Sequence, residues 1–207
     1  MTAPLATRHL AAMRILALAT LLLLPPTLPA QTFVRIGVGA TLSSTLVGEV
    51  IQAPISQRQS FAPTGQVILG WALPSGYRVG AELRYAHGTL DVDDNGTSDD
   101  LGRLATLLVG IMADGPLRGQ FRWEAAVGML RYRPAEATGI FRDGTPAPLT
   151  LGAGISWHRP LTPTIDLVIA GRYDFHSFTT DRLTREGYSS SQGVHRGALL
   201  LAVERGF

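Results

Sequence analysis

From Phe33 onward the chain alternates apolar and non-apolar positions in runs of about ten residues. The first run, Phe33 to Leu42, places Val34, Ile36, Val38, Ala40 and Leu42 on one side and Arg35, Gly37, Gly39 and Thr41 on the other. A period of two is the signature of a β-strand with one apolar face. Thr64 to Leu73 repeats it with Val67, Leu69, Trp71 and Leu73. In Tyr77 to Thr89, Tyr77, Val79, Ala81, Leu83 and Tyr85 oppose Arg78, Gly80, Glu82, Arg84 and Ala86. Arg103 to Ala113 is almost continuously apolar, so its strand phase is not fixed by alternation.

Gln120 to Arg131 sets Phe121, Trp123, Ala125, Val127 and Met129 against Arg122, Glu124, Ala126 and Gly128. Leu149 to His158 sets Leu149, Leu151, Ala153, Ile155 and Trp157 against Thr150, Gly152, Gly154, Ser156 and His158. Thr164 to Phe178 shows Ile165, Leu167, Ile169, Tyr173 and Phe175 against Asp166, Arg172, Asp174 and His176. Gly193 to Phe207 aligns Leu199, Leu201, Val203 and Phe207. Eight strands are predicted. Long connections near 43–63, 90–102, 134–148 and 179–192 alternate with short ones near 74–76, 114–119 and 159–163. Asp114-Gly115-Pro116 and the prolines at 160 and 163 read as turns. An even strand number with alternating short and long connections predicts an all-β, eight-stranded antiparallel up-and-down transmembrane β-barrel.

Composition sharpens this. All 18 basic residues are arginine, and there is no cysteine. Residues 1–30 read as a cleavable signal peptide, leaving 31–207 as the barrel domain: Arg8 and Arg14 precede the apolar stretch Ile15–Leu24, and Leu28-Pro29-Ala30 offers a cleavage site. That stretch is too short for a helix spanning a bilayer, which needs about 20 residues. Without the leader, 16 arginines balance 16 acids. The mature chain lacks the basic excess that binding of nucleic acid requires.

Three features turn the apolar face outward, toward lipid. The other face carries both signs of charge (Arg35, Arg78, Glu82, Arg84, Arg122, Glu124, Asp166, Arg172, Asp174, Arg196 and Glu204) and is crowded with glycine at 37, 39, 70, 80, 110, 128, 152 and 154. Eight strands enclose room only for side chains, so small residues suit the inside. The aromatics also sort by height. Trp71, Tyr77, Phe121, Trp123, Trp157 and Phe207 fall at one rim, and Tyr85, Tyr173 and Phe175 at the other, as expected of rings favouring the headgroup level. Finally, the chain ends in Phe207 on the apolar face of its last strand.

On these residues the chain resembles the small eight-stranded outer-membrane barrels of the OmpA-barrel, OmpX and OmpW kind. The resemblance is architectural and covers 31–207. It implies an outer-membrane location in a Gram-negative-type envelope, with porin-like architecture. Phe207 looks like the signal read by the barrel-assembly machinery; Arg205 departs from the usual apolar residue there. Outer-membrane lipid and lipopolysaccharide are the implied surroundings, and a monomer is expected.

Candidate chemistry is sparse. Asp91-Val92-Asp93-Asp94-Asn95-Gly96 with Asp99 matches the first half of a calcium loop, but the twelfth position is Gly102 where a bidentate Glu belongs. A solvated loop turning at Asn95-Gly96 is the simpler expectation. His176-Ser177 suggests a lipid A deacylase, yet neighbours on one strand point to opposite faces. Gly37-Val38-Gly39 lies inside a strand and is no nucleotide loop; His87, His158 and His195 lack metal-ligand spacing. No catalytic, cofactor-binding or metal site is expected, and no cofactor. Inside the lumen, Arg35 with Glu204 and Arg196 with Asp174 are the expected ion pairs. The leading function is non-enzymatic: structural support, or binding through the outer loops, where Val47, Val50, Ile51 and Ile55 could form an edge or apolar patch. A narrow pore or carrier for small or hydrophobic solutes, a lipid A-modifying enzyme, and a soluble lipocalin-like barrel are the alternatives.

Overall fold

The computed structural model describes residues 32–50, 54–94, 97–135, 141, 144–185 and 191–207. The expected signal peptide, 1–30, lies outside the described residues. Ten strands and one short helix follow in order: β1 (Thr32–Ser43), β2 (Thr45–Val50), β3 (Pro54–Gln59), β4 (Ala62–Ala72), β5 (Arg78–Asp94), β6 (Thr97–Arg118), β7 (Phe121–Pro134), β8 (Pro146–Thr162), β9 (Ile165–Phe178), α1 (Asp181–Arg185) and β10 (Gln192–Gly206).

Eight of the strands close a ring. β1 pairs with both β4 and β10, and the β5–β6 pairing completes the circuit. Every ladder is antiparallel, and Phe33 stands opposite Gly206 where the first and last strands meet. Closure leaves no edge along the wall, which matters where no water can satisfy a free backbone group. The eight predicted strands are these eight.

The connections differ from expectation in three places. The first long one is a hairpin, β2–β3, whose second strand pairs with the upper end of β5 from Gln59↔Leu90 to Ile55↔Asp94. The second is not a loop: β5 and β6 stay paired up to Asp94↔Thr97. Alternating aspartates keep an extended ladder when the far face is solvated, so polarity alone did not mark a strand end. The third difference is at Asp114-Gly115-Pro116, predicted as a turn. β6 runs through it to Arg118, with a bulge between Pro116 and Arg118 that accommodates the missing proline N–H. The chain reverses one step later, where Gly119 takes φ 58°, and β8 likewise carries Pro160 to a bulge before its turn.

The side-chain phase follows the predicted alternation. Val38 is 65% exposed, while its strand neighbour Arg35 is 1% exposed. The undetermined strand, β6, resolves with Val109 and Ile111 outward and Leu104, Leu108, Met112 and Asp114 inward. The outside is a belt of large apolar side chains and the inside a column of charges, the reverse of a water-soluble protein. The three tryptophans lie at one rim. Trp71 is opposite Thr32, Trp157 is opposite Phe121, and Trp123 packs 6.1 Å from Tyr77. Tyr85 and Tyr173, about half exposed, mark the other rim.

Above that second rim the facing rule inverts. On β7, Met129 points out, but so do Arg131 and Arg133, while Leu130 and Tyr132 point in. On β9, Phe175 is outward and Phe178 inward. The wall therefore leaves the apolar belt between these positions and continues as an ordinary soluble structure, with a greasy interior and a charged exterior. That interior comprises Leu46, Val47, Leu90, Leu104, Leu108, Leu130, Tyr132, Phe141, Ala147, Phe178, Leu183 and Val194. Val47, expected on an outer patch, is buried in this core; the side chains of Val50, Ile51 and Ile55 lie outside the described residues.

Candidate functional site

The lumen is filled in three storeys. The lowest, near the tryptophan rim, is built around Arg35. Its guanidinium donates from Nε to Glu204 at 2.9 Å, from Nη1 to Glu124 at 2.7 Å and from Nη2 to Asp114 at 3.3 Å. These acceptors stand on β10, β7 and β6, so one side chain from β1 crosses the cylinder. Arg78 adds bidentate contact to Asp114, with Nε at 2.9 Å and Nη2 at 2.8 Å, and also donates to Glu204. Arg122 Nε donates to Asp114 Oδ1, the oxygen that also accepts from Arg78 Nε, at 2.7 Å. Three arginines thus converge on one buried carboxylate. A planar guanidinium fork matches a carboxylate as a lysine ammonium does not, which explains an all-arginine set. Arg78 also lies over the Phe33 ring, 4.9 Å from its centroid.

The middle storey holds Glu82, Arg84, Arg172 and Asp174. Arg84 reaches Asp174 at 2.8 Å and Glu82 at 3.3 Å; Arg172 reaches Glu82 at 3.1 Å and Asp174 at 3.4 Å. Gln66 donates to Glu82 at 2.8 Å. Glycine makes room for this: a Cβ placed on Gly152 would come within 2.5 Å of Asp174 Oδ1 and 2.9 Å of Arg172 Nη2. The top storey is the apolar core, entered through a hydrogen bond of 2.7 Å between Tyr132 Oη and His176 Nε2. Tyr132, Phe141 and Phe178 pack ring against ring there, with centroids 5.0–5.6 Å apart.

Of the two predicted ion pairs, Arg35–Glu204 forms. Arg196 and Asp174 stand opposite each other in the β9–β10 ladder, but their side chains do not pair. Asp174 turns to Arg84, and Arg196 donates to Thr106 Oγ1 at 3.1 Å. The carboxylate is drawn across the lumen because Arg84 offers it a direct charge-assisted bond. Sequence reasoning missed Asp114, taken for a turn residue, and the inward apolar set Phe33, Ile68 and Met112.

His176 is buried and inward, and Ser177 is exposed on the opposite side of β9. The pair cannot form a nucleophile–base dyad. His158, Asp166 and Glu204 bring ligand-type atoms within 4.8 Å of one another. The donor set does not suit a cation. His158 Nε2 lies 3.4 Å from Arg78 Nη2 and 3.1 Å from Ser156 Oγ. A guanidinium only donates, so Nε2 accepts and the ring hydrogen sits on Nδ1, 3.9 Å from Asp166. No lone pair is left to face the carboxylates, and Glu204 is already bonded to Arg35 and Arg78. At the outer tip, Asp91↔Asp100 and Val92↔Asp99 are ladder partners. The backbone at these aspartates is a paired hairpin ladder; the turn at 95–96 and the side chains of Asp93 and Asp94 lie outside the described residues.

No protein-family model matches the sequence, and no curated protein is similar to it. Solved structures are similar in fold. The outer membrane protein OprG from Pseudomonas aeruginosa superposes with a TM-score of 0.55 at 12% identity, over 86% of this chain and 96% of that one. The outer membrane protein AlkL, determined by solid-state NMR in lipid bilayers, superposes with a TM-score of 0.54 at 12% identity, over 88% and 94%. Such identities carry architecture and nothing finer. The fold of this chain is that of the small eight-stranded outer-membrane β-barrels.

Proposed function

We propose that this is a non-enzymatic, integral outer-membrane protein of a Gram-negative-type envelope, closed as a conduit and acting through what its outer end presents. One observation carries this reading: the Arg35 guanidinium bonds to carboxylates on three other strands and bars the cylinder. Above it, the apolar core fills the outer half. Ion flow would require breaking the Arg35 ion-pair cluster and then crossing an apolar interior, each costing several kcal/mol. The outer end, by contrast, offers the β2–β3 hairpin, the β5–β6 extension and α1 to a partner beyond the membrane. Lipid and lipopolysaccharide surround the belt in this reading. An apolar groove of about 290 Å³ beside Phe207, lined by Ile36, Leu167, Leu201 and Val203, is filled by acyl chain. The barrel acts as a monomer and is inserted by the assembly machinery through its Phe207 strand.

Planar-bilayer recording of the purified protein tests closure: no steady conductance is expected, and reproducible ohmic steps would overturn it. Lipid A from cells expressing the protein should be unaltered by mass spectrometry, with or without His176→Ala. A second reading, passage of a small hydrophobic solute, draws on the apolar lining of the outer storey. Faster entry of an apolar dye into vesicles carrying the wild type than into vesicles carrying Leu108→Arg would favour it.

A further inference from the structure

The apolar groove beside Phe207 opens to the lipid side at the seam of the barrel. The tryptophan rim below it carries the short turns, which face the periplasm in such barrels. We propose that the groove seats one anionic phospholipid of the periplasmic leaflet, its phosphate held by Arg205 and Arg159 and one acyl chain laid along the seam. The inference rests on the outer-membrane reading above and adds the choice of headgroup. Register explains the groove. Ile36, Val203 and Leu167 stand in one row across β1, β10 and β9, and Val38 and Leu201 pair one step above. Val38 and Leu201 are 65% and 51% exposed, as belt residues are. Val34, Ile36 and Leu167 share that outward face yet are half-buried, so the surface is recessed here. Arg205 and Phe207 complete the wall at the periplasmic end.

Two guanidinium groups bracket that end. Arg205 lies over the Phe207 ring, 4.9 Å from its centroid, which holds it against the groove. Arg159 is exposed, two residues beyond the rim tryptophan Trp157. It stands opposite Leu167 in the β8–β9 ladder, while Arg205 stands opposite Ile165 in the β9–β10 ladder. Two strand spacings and two residue rises therefore separate them, about 12 Å between Cα atoms. Two long side chains can grip a phosphate placed between them over that distance. Guanidinium forks match phosphate oxygens in pairs.

Charge selects the occupant. The carboxylates of this end turn inward: Asp114, Glu124 and Glu204 to the Arg35 cluster, and Asp166 toward His158. The outer surface of the same end presents Arg118, Arg159 and Arg205. Even with the α-carboxylate of Phe207 counted, arginines outnumber negative groups there three to one. A zwitterionic headgroup carries its own cation beside the phosphate and meets this surface with no net charge; an anionic one does not. A second copy of the chain fits worse. The two-fold axis of a membrane dimer runs along the membrane normal, so Arg205 and Arg159 would face their own mates at equal height.

The test uses Trp157 as the reporter. The full chain carrying Trp71→Phe and Trp123→Phe is refolded into phosphatidylcholine vesicles that contain a small, equal fraction of either brominated phosphatidylglycerol or brominated phosphatidylcholine. Quenching should give a relative binding constant that favours phosphatidylglycerol by roughly fivefold or more, the effect of about one arginine at an anionic surface. Adding Arg159→Gln and Arg205→Gln together should remove the preference. Arg118→Gln, across the ring on β6, should keep it. Equal quenching by the two lipids overturns the proposal, as does a preference that survives the double change or is lost with Arg118→Gln. Quenching that falls as the protein-to-lipid ratio rises puts a second copy in the groove and also overturns it. No quenching by either lipid would remove the membrane placement itself, and the proposal with it. If the double variant does not refold, the two lipids on the unaltered arginines and Arg159→Gln alone decide.

Discussion

Arg35 and Glu204 are ladder partners at the seam where the first and last strands of the ring meet, and the guanidinium Nε donates to the carboxylate at 2.9 Å. The pair joins residues 169 positions apart, so it forms only when the circle closes. The rest of the Arg35 fork then fixes β6 and β7 to the same seam.

Removing that side chain should therefore be expensive. Arg35→Ala leaves Glu204, Glu124 and Asp114 short of a buried cation, and breaking a buried pair on one side typically costs about 3–5 kcal/mol. Urea unfolding in detergent, followed by gel mobility, should show a loss in that range. A loss below about 1 kcal/mol would mean water enters the lumen and screens the carboxylates.

Gly152 should tolerate nothing larger. A Cβ there meets Asp174 Oδ1 at 2.5 Å and Arg172 Nη2 at 2.9 Å, whereas one on Gly65 meets nothing within 4 Å. Overpacking of a filled interior costs about 1–3 kcal/mol. Gly152→Val should unfold at lower urea than wild type, and Gly65→Ala should match it. Equal midpoints for all three would show that the middle storey shifts freely.

These contacts show what a sequence can and cannot disclose. Strand phase was legible at Val38 and Arg35 because alternation reports directly on facing. The Arg35–Glu204 pair was legible because strand order alone makes them neighbours. Asp114 was not, because Asp-Gly-Pro is a strong local turn signal that a bulge overrode. Arg196 and Asp174 were correctly adjacent and wrongly paired: which arginine a carboxylate chooses across a lumen depends on distances that the ladder does not encode. Tyr132, Phe141 and Phe178 were hidden for a third reason. Beyond the bilayer the apolar residues belong inside, and nothing in the alternation marks where the wall changes solvent.

The aromatic storey makes a graded prediction. Tyr132→Phe removes one hydrogen bond to His176 and should cost about 0.5–1.5 kcal/mol. Tyr132→Ala also opens a cavity against Phe141 and Phe178 and should cost about 3–5 kcal/mol, the range for large aromatic truncations. Urea midpoints should fall in that order. Identical losses would place the stabilisation in the hydroxyl and not in the packing.

The tryptophans report the membrane placement without any substitution. All three lie at one rim: Trp71 is half exposed, Trp157 stands opposite Phe121, and Trp123 packs on Tyr77. From Tyr77, which immediately precedes β5, to Tyr85 within it is eight residue steps, about 26 Å of extended chain, or roughly 20 Å of height at a tilt near 40°. The indoles should thus sit at the headgroup level of one leaflet, where amphipathic rings are favoured. Fluorescence of the wild-type protein in vesicles should be quenched more by lipids brominated or spin-labelled near the glycerol than by lipids labelled at the chain ends. Stronger quenching from the bilayer centre would move the belt along the barrel axis. No quenching from either depth would remove the barrel from the membrane altogether.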